Sequence, residues 1–214
     1  MRELLLEGEP SSVLCLGAHC DDIELGCGGT LSRVRRRYPT ATIHWMVFCS
    51  DEVRAAEARA SARAFLGTDA HVRIERYRDG FLPYEGAEIK ERFEQLKSEV
   101  VPDLVFTHHR GDRHQDHRCV AELTWNTFRD QLILEYEIPK YEGDLGNPNI
   151  FVALGEDDVE RKARTVVECY PSQRHKAWWG EETIRSLARL RGIEAGRGAH
   201  YAEAFHASKV RMSL

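Results

Sequence analysis

No stretch of the 214 residues comes near the ~20 consecutive apolar positions that a membrane-spanning helix requires. Positive charge is not in excess either. Thirty Lys and Arg stand against 35 Asp and Glu, giving a net charge of -5 and a pI near 6.1, a balance that disfavours general nucleic-acid binding. The six cysteines (15, 20, 27, 49, 119 and 169) include no CxxC pair, and Cys15 and Cys49 sit inside apolar runs. That pattern predicts reduced thiols rather than a disulfide framework. Three leucines fenced by acids between Met1 and Glu7 are too few for a signal-peptide core, so the expected location is cytoplasmic. Internal repeats, low-complexity segments and a convincing linker are also missing. With 42% hydrophobic and 30% charged residues, the chain reads as one globular domain over residues 12–214 preceded by a short tail, residues 1–11.

What is present alternates. Val13–Ala18 is continuously apolar, as a strand buried on both faces would be. Further strands are predicted at Ala41–Cys49, His71–Tyr77, Asp103–Thr107, Leu132–Ile138 and Asn149–Leu154, with a last strand or extended tail at Tyr201–Val210. Between them lie predicted helices at Gly28–Arg37, Val53–Leu66, Ala87–Val100, residues 113–129, Glu156–Tyr170 and Glu181–Arg191. This order predicts an α/β fold with a mostly parallel sheet and helices on both faces. Gly143 to Asn149 is the best candidate for a long loop.

Four of the ten histidines (108, 109, 114 and 117) fall within ten residues, interleaved with Asp112 and Asp116. A fifth lies in His19-Cys20-Asp21-Asp22-Ile23-Glu24. Both clusters follow the C-terminal ends of predicted strands, the edge at which open parallel sheets bind ligands. His19 and Asp22 are three apart, as are His114 and His117, so each pair can converge from one turn. Asp112 reads as an N-cap, with Gln115 completing a capping-box-like pattern for a helix starting at Arg113. Two imidazoles and a carboxylate form a standard catalytic zinc set that leaves a fourth position for water. His19, Asp21, Asp22, His114, Asp116 and His117 are more than a metal needs, and hydrolysis would use the surplus as base and electrostatic stabiliser.

Gly26-Cys27-Gly28-Gly29 after the first strand, with Asp51-Glu52 after the second, invites a dinucleotide-site reading. The third glycine of that fingerprint is replaced by Leu31, and Asp21, Asp22 and Glu24 would repel a pyrophosphate. Close helix–sheet packing is the expected role of these glycines. Arg33, Arg35, Arg36 and Arg37 suit either a phosphate patch or a helix C-terminus. Trp178-Trp179 suits either a sugar face or the core.

The segments Ala18-His19-Cys20-Asp21-Asp22-Ile23-Glu24, Gly28-Gly29-Thr30-Leu31, His114-Gln115-Asp116-His117 and Tyr201-Ala202-Glu203-Ala204-Phe205 together resemble the LmbE-like, or PIG-L, deacetylase family over about residues 12–206. The resemblance implies a Rossmann-like fold and zinc-dependent removal of an acyl group, usually acetyl, from an amino sugar. By position it implies His19, Asp22 and His117 as ligands of one Zn2+ and Asp21 as general base. His114 would stabilise the oxyanion or protonate the leaving amine, with Asp116 orienting it. Arg54 and Asp79 match sugar-contacting positions. Cys20 departs from the family's usual Pro or Ala; a side chain turned away from the metal is expected there. Lys162 and Ser172-Gln173 are similar to the family without indicating a role.

The function expected is therefore a zinc amidohydrolase deacetylating an N-acetylated amino sugar or its conjugate. A zinc amidase acting on another amide, such as a thiol conjugate or natural-product intermediate, is the nearest alternative. A non-hydrolytic nucleotide-binding protein is the alternative from another class. The partner expected is a small-molecule amino sugar, with no nucleic acid and no membrane span, and self-association into a homo-oligomer is left open.

Overall fold

A computed structural model describes residues 8–68 and 70–211. The first seven residues of the predicted tail lie outside that range. The chain forms β1 (Ser12–Gly17), α1 (Asp22–Arg37), β2 (Thr42–Cys49), α2 (Glu52–Leu66), β3 (His71–Tyr77) and α3 (Gly86–Glu99), then β4 (Leu104–His108), α4 (Gln115–Thr127) and β5 (Leu132–Tyr136). It continues as β6 (Ile150–Leu154), α5 (Glu156–Cys169), α6 (Glu181–Glu194) and β7 (Tyr201–His206), with short 3-10 turns at Leu82–Glu85 and Pro171–Gln173.

The strands make one seven-stranded sheet in the order β3-β2-β1-β4-β5-β7-β6. Pairing is parallel from β3 across to β5, and β7 runs antiparallel to both β5 and β6. Alternation along β1 divides the core. Val13 and Cys15 face a cluster that includes Ile23 and Leu31 of α1, Phe65 of α2 and Val166 of α5. Leu14 and Leu16 face a second cluster with Ile89, Phe93 and Leu96 of α3 and Val120 of α4. Burial on both faces is why β1 carries an unbroken apolar run. The chain moves outward from β1 through β2 to β3 and then returns to the other side of β1 as β4. The crevice between the C-terminal ends of β1 and β4 is thus a topological switch point. No helix among the described residues is long and apolar enough to cross a membrane.

Several boundaries differ from expectation, and three of the differences have a visible physical reason. Helix α1 begins at Asp22 rather than Gly28, because it is kinked: Cys27 has φ -142° and ψ 18°. Three glycines between residues 26 and 29 lower helix propensity and conceal the first half. Tertiary contacts stitch the kink. Lys162 donates to Leu25 O at 2.7 Å and to Glu203 at 2.6 Å, while Glu203 accepts the Gly29 and Thr30 amides at 2.9 and 2.6 Å. Helix α4 begins at Gln115 with His114 as its N-cap, so Asp112 is not the cap; its carboxylate is engaged elsewhere. Strand β7 ends at His206, short of the predicted Val210, where its pairing with β5 runs out.

Candidate metal centre and active site

His19 lies in the turn after β1, and Asp22 opens α1. His117 comes from the first turn of α4, which follows β4 by way of the loop containing Asp112. The three residues meet in the switch-point crevice, each at most 7% exposed. His19 Nδ1 is 3.1 Å from His117 Nε2 and 3.3 Å from Asp22 Oδ2; His117 Nε2 is 3.5 Å from Asp22 Oδ1. Ligand atoms about 2.0–2.1 Å from a tetrahedral zinc stand about 3.3 Å apart. The observed spacing therefore fits an ion held by these three groups.

The outward-facing nitrogens support the same assignment. His117 Nδ1 is 2.9 Å from Asp112 Oδ2, and His19 Nε2 is 3.1–3.2 Å from Asp79 Oδ1 and Asp116 Oδ2. A carboxylate behind each imidazole fixes the ring and leaves the other nitrogen's lone pair for the centre. Burial alone would push His19 down, yet Asp22, Asp116 and Asp79 outweigh it and raise its pKa well above the ordinary range. A divalent cation would suit the charge of the three carboxylates gathered around His19.

Asp21 points to a different partner. Its Oδ1 accepts from Arg54 Nη2 at 2.5 Å, and it is in none of the groups of converging ligand atoms found among the described residues, which join His19 with His114 and His117, His19 with Cys49 and Asp116, and Asp22 with His108 and His117. Arg54 sits in the first turn of α2, which Asp51 caps by accepting the Arg54 amide at 2.8 Å. Glu24, the third acid of the segment, turns away toward the Tyr170 hydroxyl. Burial pushes its carboxyl up to about 8.

His114 stands beside the centre, its ring 4.8 Å from that of His19 and 4.6 Å from that of His117. Its Nδ1 accepts the Asp116 amide at 3.3 Å, so the neutral ring carries its proton on Nε2. Burial, reinforced by His117 and His19, lowers its pKa. Both findings correct the expected Asp116–His114 pairing. The Asp116 carboxylate instead holds His19 and accepts the Gly80 and Leu82 amides at 2.6 and 3.1 Å. Asp116 thereby fastens the loop after β3, which presents Asp79 with its side chain 65% exposed. The hydrogen bond to His19 holds the Asp79 carboxyl at about 2.

Some residues of the two motifs serve packing. Cys20 is fully buried, directs its sulfur at Cys49 O, 3.5 Å away, and is in none of the groups of converging ligand atoms among the described residues. Cys49 lies near His19 and Asp116, but burial raises its thiol pKa far above the ordinary value, which opposes a thiolate ligand. His109 faces outward to Glu135 at 2.7 Å and stacks on His206. A Cβ on Gly26 would meet Tyr136 at 2.3 Å, and one on Gly29 would meet Leu154 at 2.7 Å. The glycines admit neighbouring side chains, and no pyrophosphate cradle remains. Arg33, Arg35 and Arg36 bond Ala153 O, Pro39 O and Ala41 O, and Asp158 at the far end of α1. Trp178 and Trp179 pack against the core.

Two participants escaped the sequence reading. Asp112, read as a cap, is the carboxylate behind His117. His108, the last residue of β4, is fully buried, accepts the Ala18 amide at 2.9 Å and stacks on His117 with ring centroids 3.9 Å apart. The histidine-rich spacing contained both, but nothing local distinguished His108, facing in, from His109, facing out.

The family described as PIG-L, GlcNAc-PI de-N-acetylase, matches residues 14–128, the stretch that supplies every group around the centre. A protein of Escherichia coli (strain K12) described as uncharacterized deacetylase YaiS is 32% identical over 143 residues, 59% of this chain and 74% of that protein. Among solved structures, the N,N'-diacetylchitobiose deacetylase of Pyrococcus horikoshii is 24% identical, with a TM-score of 0.70 over 93% of this chain and 84% of that one. GalB of Pseudomonas putida KT2440, a 4-carboxy-2-hydroxymuconate hydratase, is 18% identical, with a TM-score of 0.73 over 95% of this chain and 98% of that one. These two likenesses show the fold, and a fold shared by a deacetylase and a hydratase leaves the chemistry to the site.

Proposed function

The chain belongs to the PIG-L family, and on that premise we propose that it is a zinc-dependent N-deacetylase acting on an N-acetylated amino sugar or its conjugate. The observation that carries this reading is the convergence of His19 Nδ1, Asp22 and His117 Nε2 at 3.1–3.5 Å. Those three residues would hold one Zn2+, which when bound supplies Lewis acidity, polarising an amide carbonyl and lowering the pKa of water.

The remaining groups divide the proton chemistry. Asp21 takes the proton from the attacking water on its carboxylate, with Arg54 fixing the carboxylate's direction through Oδ1. His114 donates its Nε2 hydrogen toward the acyl oxygen as negative charge gathers there. A neutral imidazole suffices for that role, in keeping with its lowered pKa. Water adds to the acyl carbon, the carbon–nitrogen bond breaks, and the nitrogen leaves as an amine with a proton returned from the site. Asp116 orients His19 and the loop after β3 rather than His114. Asp79, which is exposed, and Arg54, beside Asp21, would contact the hydroxyls of a sugar. Purified full-length protein should release acetate from N-acetyl sugars, nucleotide sugars or glycolipids and lose that activity on chelation. Release that survives complete metal removal would contradict the reading.

A further inference from the structure

The carboxylate behind His117 is itself held by a residue from outside both motifs. Lys140, in the loop after β5, reaches Asp112 Oδ2 at 2.9 Å and Asp144 Oδ1 at 2.7 Å. Asp144 Oδ2 accepts the Arg113 amide at 2.7 Å, so the contacts close a ring on the segment that carries Asp112. Asp112 Oδ1 accepts the His114 amide at 2.7 Å. The Lys140 side chain is 8% exposed, and those of Asp112 and Asp144 are 4% exposed.

Two enclosed carboxylates facing one another repel, and each lacks the water that would solvate it. Lys140 stands between them and removes that conflict. Its nitrogen shares Asp112 Oδ2 with His117 Nδ1, so the oxygen that fixes the imidazole is fixed in turn by the lysine. Arg113 Nη1 and Arg191 Nη2 bind Glu142 O and Gly146 O at 3.2 and 3.1 Å, which ties the rest of the loop to the body.

Resting on the metal-dependent reading above, we propose that Lys140 is a positioning residue for the metal centre. It holds Asp112 against His117 and thereby couples the loop of residues 139–149 to metal binding. The coupling is reciprocal: whatever the loop contributes to metal affinity, the metal returns as loop stability.

Zinc affinity, measured on the full chain by competition with a chromogenic chelator, tests this in Lys140→Met, Lys140→Arg and Asp144→Asn. Losing the group directly behind a ligating histidine typically weakens metal affinity about 10–100-fold; Lys140 acts one contact further out, and Lys140→Met should reach the low end of that range, about tenfold. Lys140→Arg should recover most of the loss, and Asp144→Asn, which leaves the Lys140–Asp112 contact, should stay near wild type. A purely structural clasp would respond equally to Lys140→Met and Asp144→Asn, and that equality overturns the proposal. So does zinc affinity within about twofold of wild type in Lys140→Met, well below the usual loss. Hydrogen exchange in the wild type provides a readout that needs no variant to fold: zinc should slow exchange across residues 139–149 about tenfold, within the usual range of such coupling. Unchanged exchange overturns the coupling. A wild-type chain that takes up no zinc overturns the metal reading itself, which is distinct from a wild type that binds while Lys140→Met binds equally well.

Discussion

Two buried charged clusters flank α1, and they are built on opposite principles. At its kink, Lys162 and Glu203 are each 5% exposed, and their main valences are closed: the lysine on a carbonyl and the carboxylate, the carboxylate on two amides and the lysine. At its N-terminus, His19, Asp22 and His117 are similarly buried, but they turn ring nitrogens and carboxylate oxygens toward one another at 3.1–3.5 Å. The first cluster completes a fold. The second has the spacing of the metal site proposed above. Burial of charge is common to both, so exposure does not single out the candidate site; the direction of the lone pairs does.

The comparison breaks most sharply at Asp21. Its replacement by Asn should keep zinc and fold but lower kcat by about 10²–10⁴, the scale of a missing general base. Activity near that of wild type would mean the proton goes elsewhere. At the kink, Glu203→Gln leaves a buried lysine without its counter-charge, a change that typically costs about 3–5 kcal/mol. Denaturant unfolding should register that loss while zinc per folded chain stays the same. Zinc loss at unchanged stability would place Glu203 in the functional cluster instead.

A smaller effect sharpens the chemistry. His114→Ala should lower kcat about 10²–10³-fold, as expected for one oxyanion donor, with zinc retained. Because burial and the adjacent imidazoles lower the His114 pKa, the ring is neutral at and above pH 7 and keeps its Nε2 hydrogen there. His114 therefore contributes no alkaline fall in kcat. A fall in the wild type that disappears in His114→Ala would show that an imidazolium is the active form.

How legible the molecule was in sequence depended on whether the signal was local. Strands buried on both faces, such as β1 and β4, announced themselves as apolar runs, and the edge at which the two histidine clusters meet followed from parallel order. Spacing left six candidates at that edge, and His19, Asp22 and His117 were singled out only by the family resemblance. The first half of α1 was not, because its glycines are poor helix formers and Glu203, more than 170 residues away, supplies the amide acceptor that they need. Asp112 was read as a cap since the sequence offers no view of His117 Nδ1, and Lys140 carried no motif at all. The Asp116 assignment failed for a related reason: its partners at Gly80 and Leu82 come from another loop.

The central claim is that His19, Asp22 and His117 together hold one metal ion. Metal analysis of purified wild type and His117→Ala after equilibration with zinc tests it directly, with circular dichroism confirming that the variant is folded. The account predicts one zinc per wild-type chain and loss of most of it in the variant. A wild type without zinc, or a folded His117→Ala with full zinc, would contradict it.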